Sequence, residues 1–298
     1  MLRIMKFRIL ILYIYVVLFT CACSTSRYSY NTQYPTIETA QQYDGILKEH
    51  FYKCSVKGPT ERRMYVYLPK DYYESTDSFP VFYLLHGARG NETSWIQKGN
   101  LLHDIDSLTN AKLMEKCIVV LPNTNPHKDD KDYGKSRIKG AVESFFELDG
   151  MVEYSFIDDV VHEIDNSYRT INNKNARAIG GLSIGAVQAM HITANYPEYF
   201  GYIGLYSSMV HPVLRHSEHS SFYLNLKEKQ TKQFSEAPTQ YWLMIGKTDI
   251  FYPRMCLYHR YLERNNYIHK FYTTSGGHQW YNWEEYNNLF MQNIFKGN

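Results

Sequence analysis

Two short, wholly apolar runs constrain the fold of this 298-residue chain more than any other feature. Pro80-Val81-Phe82-Tyr83-Leu84-Leu85 runs straight into His86-Gly87, and Cys117-Ile118-Val119-Val120-Leu121 stops at Pro122. A strand with one wet face alternates polar and apolar residues, so a strand lacking that alternation must be covered on both faces. A parallel sheet with helices on each side meets that condition. The rest of the pattern agrees. Arg63–Leu68 alternates and ends at Pro69, as a strand does. Ile157, Val160, Val161, Ile164 and Tyr168 fall at helical spacing and predict a helix near 152–168. Ala176–Gly181, Tyr202–Tyr206, Tyr241–Ile245 and Ile268–Thr273 read as strands. Helices are expected after Ser183, near 253–264 and over 280–295. Strands alternating with helices imply a doubly wound α/β fold with a mostly parallel central sheet.

Gly181-Leu182-Ser183-Ile184-Gly185 lies where the predicted strand 176–181 gives way to a helix. A serine on so tight a turn is held in a strained backbone conformation with its hydroxyl clear of the sheet, and small residues two before and two after avoid collisions. Such a hydroxyl is a weak nucleophile without a base, and in this type of turn the partners follow in the order Ser, acid, His. Of the acids between Ser183 and the last strand, only Asp249 lies just beyond an apolar strand, in Gly246-Lys247-Thr248-Asp249. Of the later histidines, His259 is expected mid-helix and His269 within a strand. His278 follows the last strand in Ser275-Gly276-Gly277-His278, where two glycines let the loop bend back toward the sheet edge. Ser183, His278 and Asp249 are therefore the candidate nucleophile, base and orienting acid. Two backbone N–H donors are needed for the oxyanion. The amide of Ile184 is one candidate. The other comes from His86-Gly87-Ala88-Arg89-Gly90, with Ala88 favoured and Gly87 the second choice.

These segments carry a resemblance. Val66-Tyr67-Leu68-Pro69, Phe79–Gly87, Asn91-Glu92-Thr93-Ser94-Trp95, Gly180–Gly185 and Gly276-Gly277-His278-Gln279-Trp280 are similar, in order and spacing, to the esterase D / feruloyl-esterase-like branch of the α/β-hydrolases. The resemblance implies the α/β-hydrolase fold and serine esterase chemistry. Members remove acyl groups from carbohydrates, formylglutathione or siderophore esters, and some transfer acyl groups. Two positions depart from the pattern: Ala186 stands where the family often has Gly, and Thr248 where an acidic residue often precedes the acid of the triad.

The N-terminus carries its own signal. Arg3, Lys6 and Arg8 precede Ile9–Thr20, an apolar run of twelve that suits a signal-peptide core better than a membrane span. Cys21-Ala22-Cys23-Ser24 follows, resembling a bacterial lipoprotein signal with Cys23 as the lipidated residue. The expected organisation is a signal peptide over 1–22, a polar tether over 23–44 and one domain over 45–298. Export would place the protein in a bacterial cell envelope, touching membrane only through its N-terminal lipid. Formal net charge is +2 with no long basic run, which argues against a nucleic-acid binder. Cys54, Cys117 and Cys256 are odd in number and too widely spaced for a metal site, and read as buried free thiols.

Weaker constellations remain. His211, His216 and His219 are spaced poorly for a tetrahedral metal site and read as a solvated loop. Asp129, Asp130, Asp132 and Gly134 lack the Glu that a calcium loop needs. Trp95, Trp280 and Trp283 suggest either a stacking platform or core packing, while Trp242 reads as core. Trp95, Trp280 and Arg89 are the candidate substrate contacts. Residues 211–240 show no clear period and read as a loop or partial cap. The expectation is a cofactor-free, metal-free serine esterase acting on a small-molecule or oligosaccharide ester, with acetyl or feruloyl as the acyl group. The alternatives are an acyltransferase of the same fold and a surface glycan-binding protein without turnover.

Overall fold

The computed structural model describes residues 43–56, 61–125, 147–210, 213–214 and 218–296. These residues lie within one compact unit, Thr39–Asn298. The expected signal segment, Cys23, the expected tether up to residue 42, the Asp129–Gly134 cluster, His211 and His216 fall outside the described residues.

The strands are β1 (Ile46–Lys53), β2 (Glu61–Leu68), β3 (Val81–Leu85), β4 (Ile118–Pro122), β5 (Glu147–Leu148), β6 (Arg177–Leu182), β7 (Tyr202–Tyr206), β8 (Val213–Leu214), β9 (Gln240–Gly246) and β10 (Lys270–Thr274). One eight-stranded sheet has the order β1-β2-β4-β3-β6-β7-β9-β10. Its β1–β2 and β2–β4 pairs are antiparallel and the other five pairs are parallel. A separate parallel pair joins β5 to β8.

The apolar runs form β3 and β4, buried at every position. The helices explain why both faces need covering. They are α1 (Ser94–Lys98), α2 (Leu101–Asn110), α3 (residues 151–167), α4 (Ile184–Asn195), α5 (Leu226–Ser235), α6 (Tyr252–Arg264) and α7 (Trp280–Met291). Tyr83 meets Phe156 of α3 edge-on at 5.9 Å, while its neighbour Phe82 meets Phe290 of α7 at 5.6 Å. Successive residues of one strand thus feed two opposite cores, as the period of two requires. Helix α4 is buried along almost its whole length, from Ile184 to Ala194. It packs against β3, β6, β7, α3 and α5.

Several expectations are corrected. Strand β1 was not anticipated: it is an edge strand whose Lys48, Glu49 and Lys53 interrupt any apolar pattern. The helix expected over 152–168 spans α-helix Met151–Phe156, a π-turn Ile157–Val161 and α-helix His162–Ser167. Tyr168 leaves it in extended conformation. His269 precedes β10 and is not within it. Residues 220–235 are not a loop: a 3-10 turn Ser220–Tyr223 and then α5 pack on α4. The inward positions of α5 include Gln230 and Gln233, so no apolar stripe marked it. All three described cysteines are free, but only Cys117 is fully buried.

Candidate active site

Ser183 stands between β6 and α4 with φ 54° and ψ −114°. A positive φ is costly for a residue with a Cβ and persists only where its surroundings hold it. Here the Ser183 N–H donates to the Tyr206 carbonyl at 2.9 Å, and its own carbonyl accepts from the Val187 N–H at 3.2 Å. The flanking glycines supply room. A Cβ on Gly181 would lie 2.7 Å from the Gly185 carbonyl carbon, and one on Gly185 would lie 2.3 Å from the His86 carbonyl oxygen. Strand, helix and the loop after β3 therefore close on one another around the serine.

Asp249 follows β9 and is buried, its side chain fully so. One carboxylate oxygen accepts from the Phe251 N–H at 2.9 Å. The other lies 2.9 Å from Nδ1 of His278, whose Nε2 is 3.1 Å from the Ser183 hydroxyl. A carboxylate can only accept, so Nδ1 carries the proton and the Nε2 lone pair faces the serine. The sequence-predicted Ser183, Asp249 and His278 thus come together in a hydrogen-bonded line, drawn from the C-terminal ends of β6, β9 and β10. The glycines before His278 act through space and not through unusual torsion. A Cβ on Gly276 would lie 2.3 Å from both Asn282 Nδ2 and the Tyr281 hydroxyl. Thr248 donates its N–H to the Gly276 carbonyl at 3.2 Å, and Asn282 donates to the Gly277 carbonyl at 2.6 Å.

The candidate oxyanion donors flank this line. Ile184 is the first residue of α4, where a helical N–H has no intrahelical acceptor. The loop after β3 is pressed onto the turn, a Cβ on Gly87 falling 2.3 Å from a Leu182 methyl. Ala88 is partly buried against the core.

The tryptophans divide. Trp95 is only 1 % exposed, so it is a core residue and not a substrate contact. Its indole N–H donates to the Leu85 carbonyl at 3.0 Å and its ring meets Trp280 edge-on at 5.4 Å. Trp280 is half-buried and Arg89, with φ 57°, is exposed. Trp242 is buried beside the Lys270 ammonium. Among the described residues, no group of three His, Cys, Asp or Glu is arranged to hold a metal, and no helix is long and apolar enough to cross a membrane.

The model of the Esterase family matches residues 55–253. The chain belongs to the Esterase family. Over 148 residues, 48% of its length, this esterase-family chain is 36% identical to an endo-1,4-beta-xylanase/feruloyl esterase of Xylanibacter ruminicola, and the matched stretch spans 19% of that larger protein. A solved ferulic acid esterase superposes with a TM-score of 0.67 at 19% identity, covering 84% of this chain and 98% of its own. One from the anaerobic fungus Anaeromyces mucronatus gives 0.64 at 22% identity over 89% and 96%. An S-formylglutathione hydrolase from Staphylococcus aureus gives 0.62 at 16% identity over 84% and 98%. At such identities the likeness is one of fold, and that fold is the α/β-hydrolase fold.

Sequence reasoning did not assign the residues that hold this candidate site. His278 is flanked by Phe251 and Trp283, whose rings lie 5.2 Å and 4.8 Å from it and nearly perpendicular. Asn125 donates to the Gly90 carbonyl at 2.8 Å. Buried Glu92 accepts from Arg63 at 2.8 Å and from Asn123 at 2.8 Å. The available signal was a charge, Arg63, entering the apolar run Met64–Leu68.

Proposed function

We propose that this chain is a serine carboxylic-ester hydrolase that releases an acyl group from a carbohydrate ester through an acyl-enzyme. The observation that carries the reading is the Asp249–His278–Ser183 line, at 2.9 Å and 3.1 Å. Ser183 Oγ attacks the ester carbonyl as His278 Nε2 takes its proton, and Asp249 holds the ring and stabilises the imidazolium. The amides of Ile184 and Ala88 receive the oxyanion, each worth about 3–4 kcal/mol by the analogy of protease oxyanion donors. Collapse expels the sugar oxygen, which takes the proton from His278. Water then attacks the acyl-enzyme with His278 as base, and the carboxylic acid leaves. The reading calls for no cofactor.

An acetyl or feruloyl group is the acyl portion we propose. The Xylanibacter relative is named a xylanase/feruloyl esterase, and structural relatives have been solved with ferulic acid and with sinapinate. We further propose that residues 1–22 are removed on export and that Cys23 carries a lipid, on the pattern Cys21-Ala22-Cys23-Ser24. Mass spectrometry of the mature N-terminus tests this: an N-terminal residue other than lipidated Cys23 overturns it.

The function is tested by p-nitrophenyl acetate hydrolysis, parent beside Ser183→Ala. A loss of about 10⁴–10⁶ in kcat is expected. Equal rates in the two proteins overturn the reading, and glycan binding without turnover, unchanged in the variant, would replace it.

A further inference from the structure

We propose that His86 is a positioning residue that aims the Ala88 amide into the oxyanion site. The inference rests on the serine-esterase reading and adds a residue to it.

The argument begins with the peptide bond between Gly87 and Ala88. Its carbonyl oxygen belongs to Gly87 and its N–H to Ala88, and in a planar trans peptide the two point in opposite directions. The described chain has no cis peptide bond. Whatever fixes the Gly87 carbonyl therefore fixes the direction of the Ala88 N–H. Two donors fix it. Nδ1 of His86 lies 2.8 Å from the Gly87 oxygen, and the Gly90 N–H donates to the same oxygen at 2.9 Å. Both pull the carbonyl to one side of the loop and leave the amide on the other. Gly87 and the His86 carbonyl already pack against the turn that carries Ser183, and it is toward that turn that we place the free amide.

His86 is suited to this task because its protonation is specified twice. A carbonyl only accepts, so Nδ1 must carry the hydrogen. The Thr124 N–H donates to Nε2 at 3.0 Å, and a backbone amide only donates, so Nε2 must be bare. The ring is 3 % exposed, and burial pushes its pKa down to about 4, so it stays neutral through the working range. Thr124 is itself held, its carbonyl accepting from Gln188 Nε2 at 3.0 Å. Gln188 lies on α4, the helix that opens at the nucleophile turn. A chain of hydrogen bonds, Gln188 to Thr124 to His86 to Gly87, thus ties the nucleophile's helix to the oxyanion loop. Donor and nucleophile keep their separation without relying on the sheet alone.

The test compares His86→Asn, whose side-chain amide can stand at the Nδ1 position, with His86→Gln, whose amide stands at Nε2 and leaves the Gly87 carbonyl without its donor. Parent and Ser183→Ala are measured beside them for p-nitrophenyl acetate kinetics and for inhibition by a trifluoromethyl ketone, which forms a bound oxyanion. Melting temperature is recorded for each. The expected result is a loss of about 10²-fold in kcat for His86→Gln with KM within about twofold, the size of a misplaced oxyanion donor. Ketone affinity falls in proportion, and the pH profile of kcat keeps its shape. His86→Asn recovers kcat to within about tenfold of the parent. The proposal is overturned if both variants keep parental kcat, if Asn is as impaired as Gln, or if kcat falls while ketone affinity holds. Should both variants fail to fold, Gln188→Leu, which frees the Thr124 carbonyl, replaces them: kcat and ketone affinity are expected to fall together, and parental kcat, or a fall in kcat with ketone affinity held, overturns the proposal. If Ser183→Ala matches the parent, the serine-esterase reading itself has failed, an outcome distinct from a failure at His86 alone.

Discussion

The two loops that complete the site are held in different ways. The loop after β10 carries His278 and is gripped by ring packing together with hydrogen bonds: Phe251 and Trp283 stand edge-on to the imidazole, and Asn282 pins the Gly277 carbonyl. His278 keeps 24 % of its side chain in solvent. The loop after β3 is buried at His86 and Gly87 and is gripped by polar groups: His86 on Gly87, Asn125 on Gly90 and the Arg63–Glu92 pair. The difference follows from what each loop supplies. A base must exchange protons with substrate and water, so its side chain needs an opening and apolar walls that limit its rotation. A backbone donor must only point, and hydrogen bonds specify direction where packing does not.

The largest effect expected from breaking this comparison is on the side that carries His278. Asp249→Asn keeps shape but admits the wrong imidazole tautomer, with the proton on Nε2 facing Ser183. A fall of about 10⁴ in kcat is expected by analogy with serine proteases, with little change in melting temperature. Steady-state kinetics and a thermal melt on the same sample check it, and a fall below tenfold would show that apolar walls alone orient the ring.

A matched pair of substitutions comes next, each costing about 3–5 kcal/mol by a different route. Trp283→Ala opens a cavity behind His278. Arg63→Met leaves the Glu92 carboxylate buried without its cation. Urea denaturation gives both costs, and the conservative variants separate the causes. Trp283→Phe should restore most of the stability, because volume is what was lost. Arg63→Lys should restore little, because Arg63 reaches Glu92 and Glu49 with different nitrogens and one ammonium does not span both. Equal rescue at the two positions would erase the distinction between the loops.

How much of this was legible before the structure follows the same division. The apolar strands and the loops at their ends were readable, so Ser183, Asp249 and His278 could be picked out by position alone. The packed determinants were half readable. Trp95, Trp280 and Trp283 stood out, but pattern does not say which face of an indole is wet, and Trp95 proved to be core. The polar determinants were opaque. Arg63, Glu92, His86 and Gln188 are residue types usually found in water, and burial of such groups depends on partners far along the chain. The same blindness hid α5, whose inward side carries glutamines.

The smallest expected effect concerns the one strongly shifted acid among these buried polar groups. Glu153 of α3 is buried facing Gln188, Tyr223 and Asp149, and desolvation raises its pKa from the ordinary carboxyl value of 4.5 to about 7. In the unfolded chain it ionises near pH 4.5, while in the fold it keeps its proton to about pH 7. Between those values the folded state binds the extra proton, so stability falls as pH rises. The loss is complete above about pH 7 and amounts to about 3 kcal/mol for a shift of this size. Glu153→Gln removes the titrating group while keeping its shape. It should therefore be more stable than the parent at pH 8 and nearly equal to it at pH 4.5, as read from urea midpoints at the two values. A gap that stays constant with pH would mean that Glu153 is ionised throughout and that Tyr223 and Gln188 hold the charge. Glu153 would then be a fixed anion beneath the helix that carries Ser183, and the polar chain reaching Gly87 would begin from a charge and not from a neutral acid.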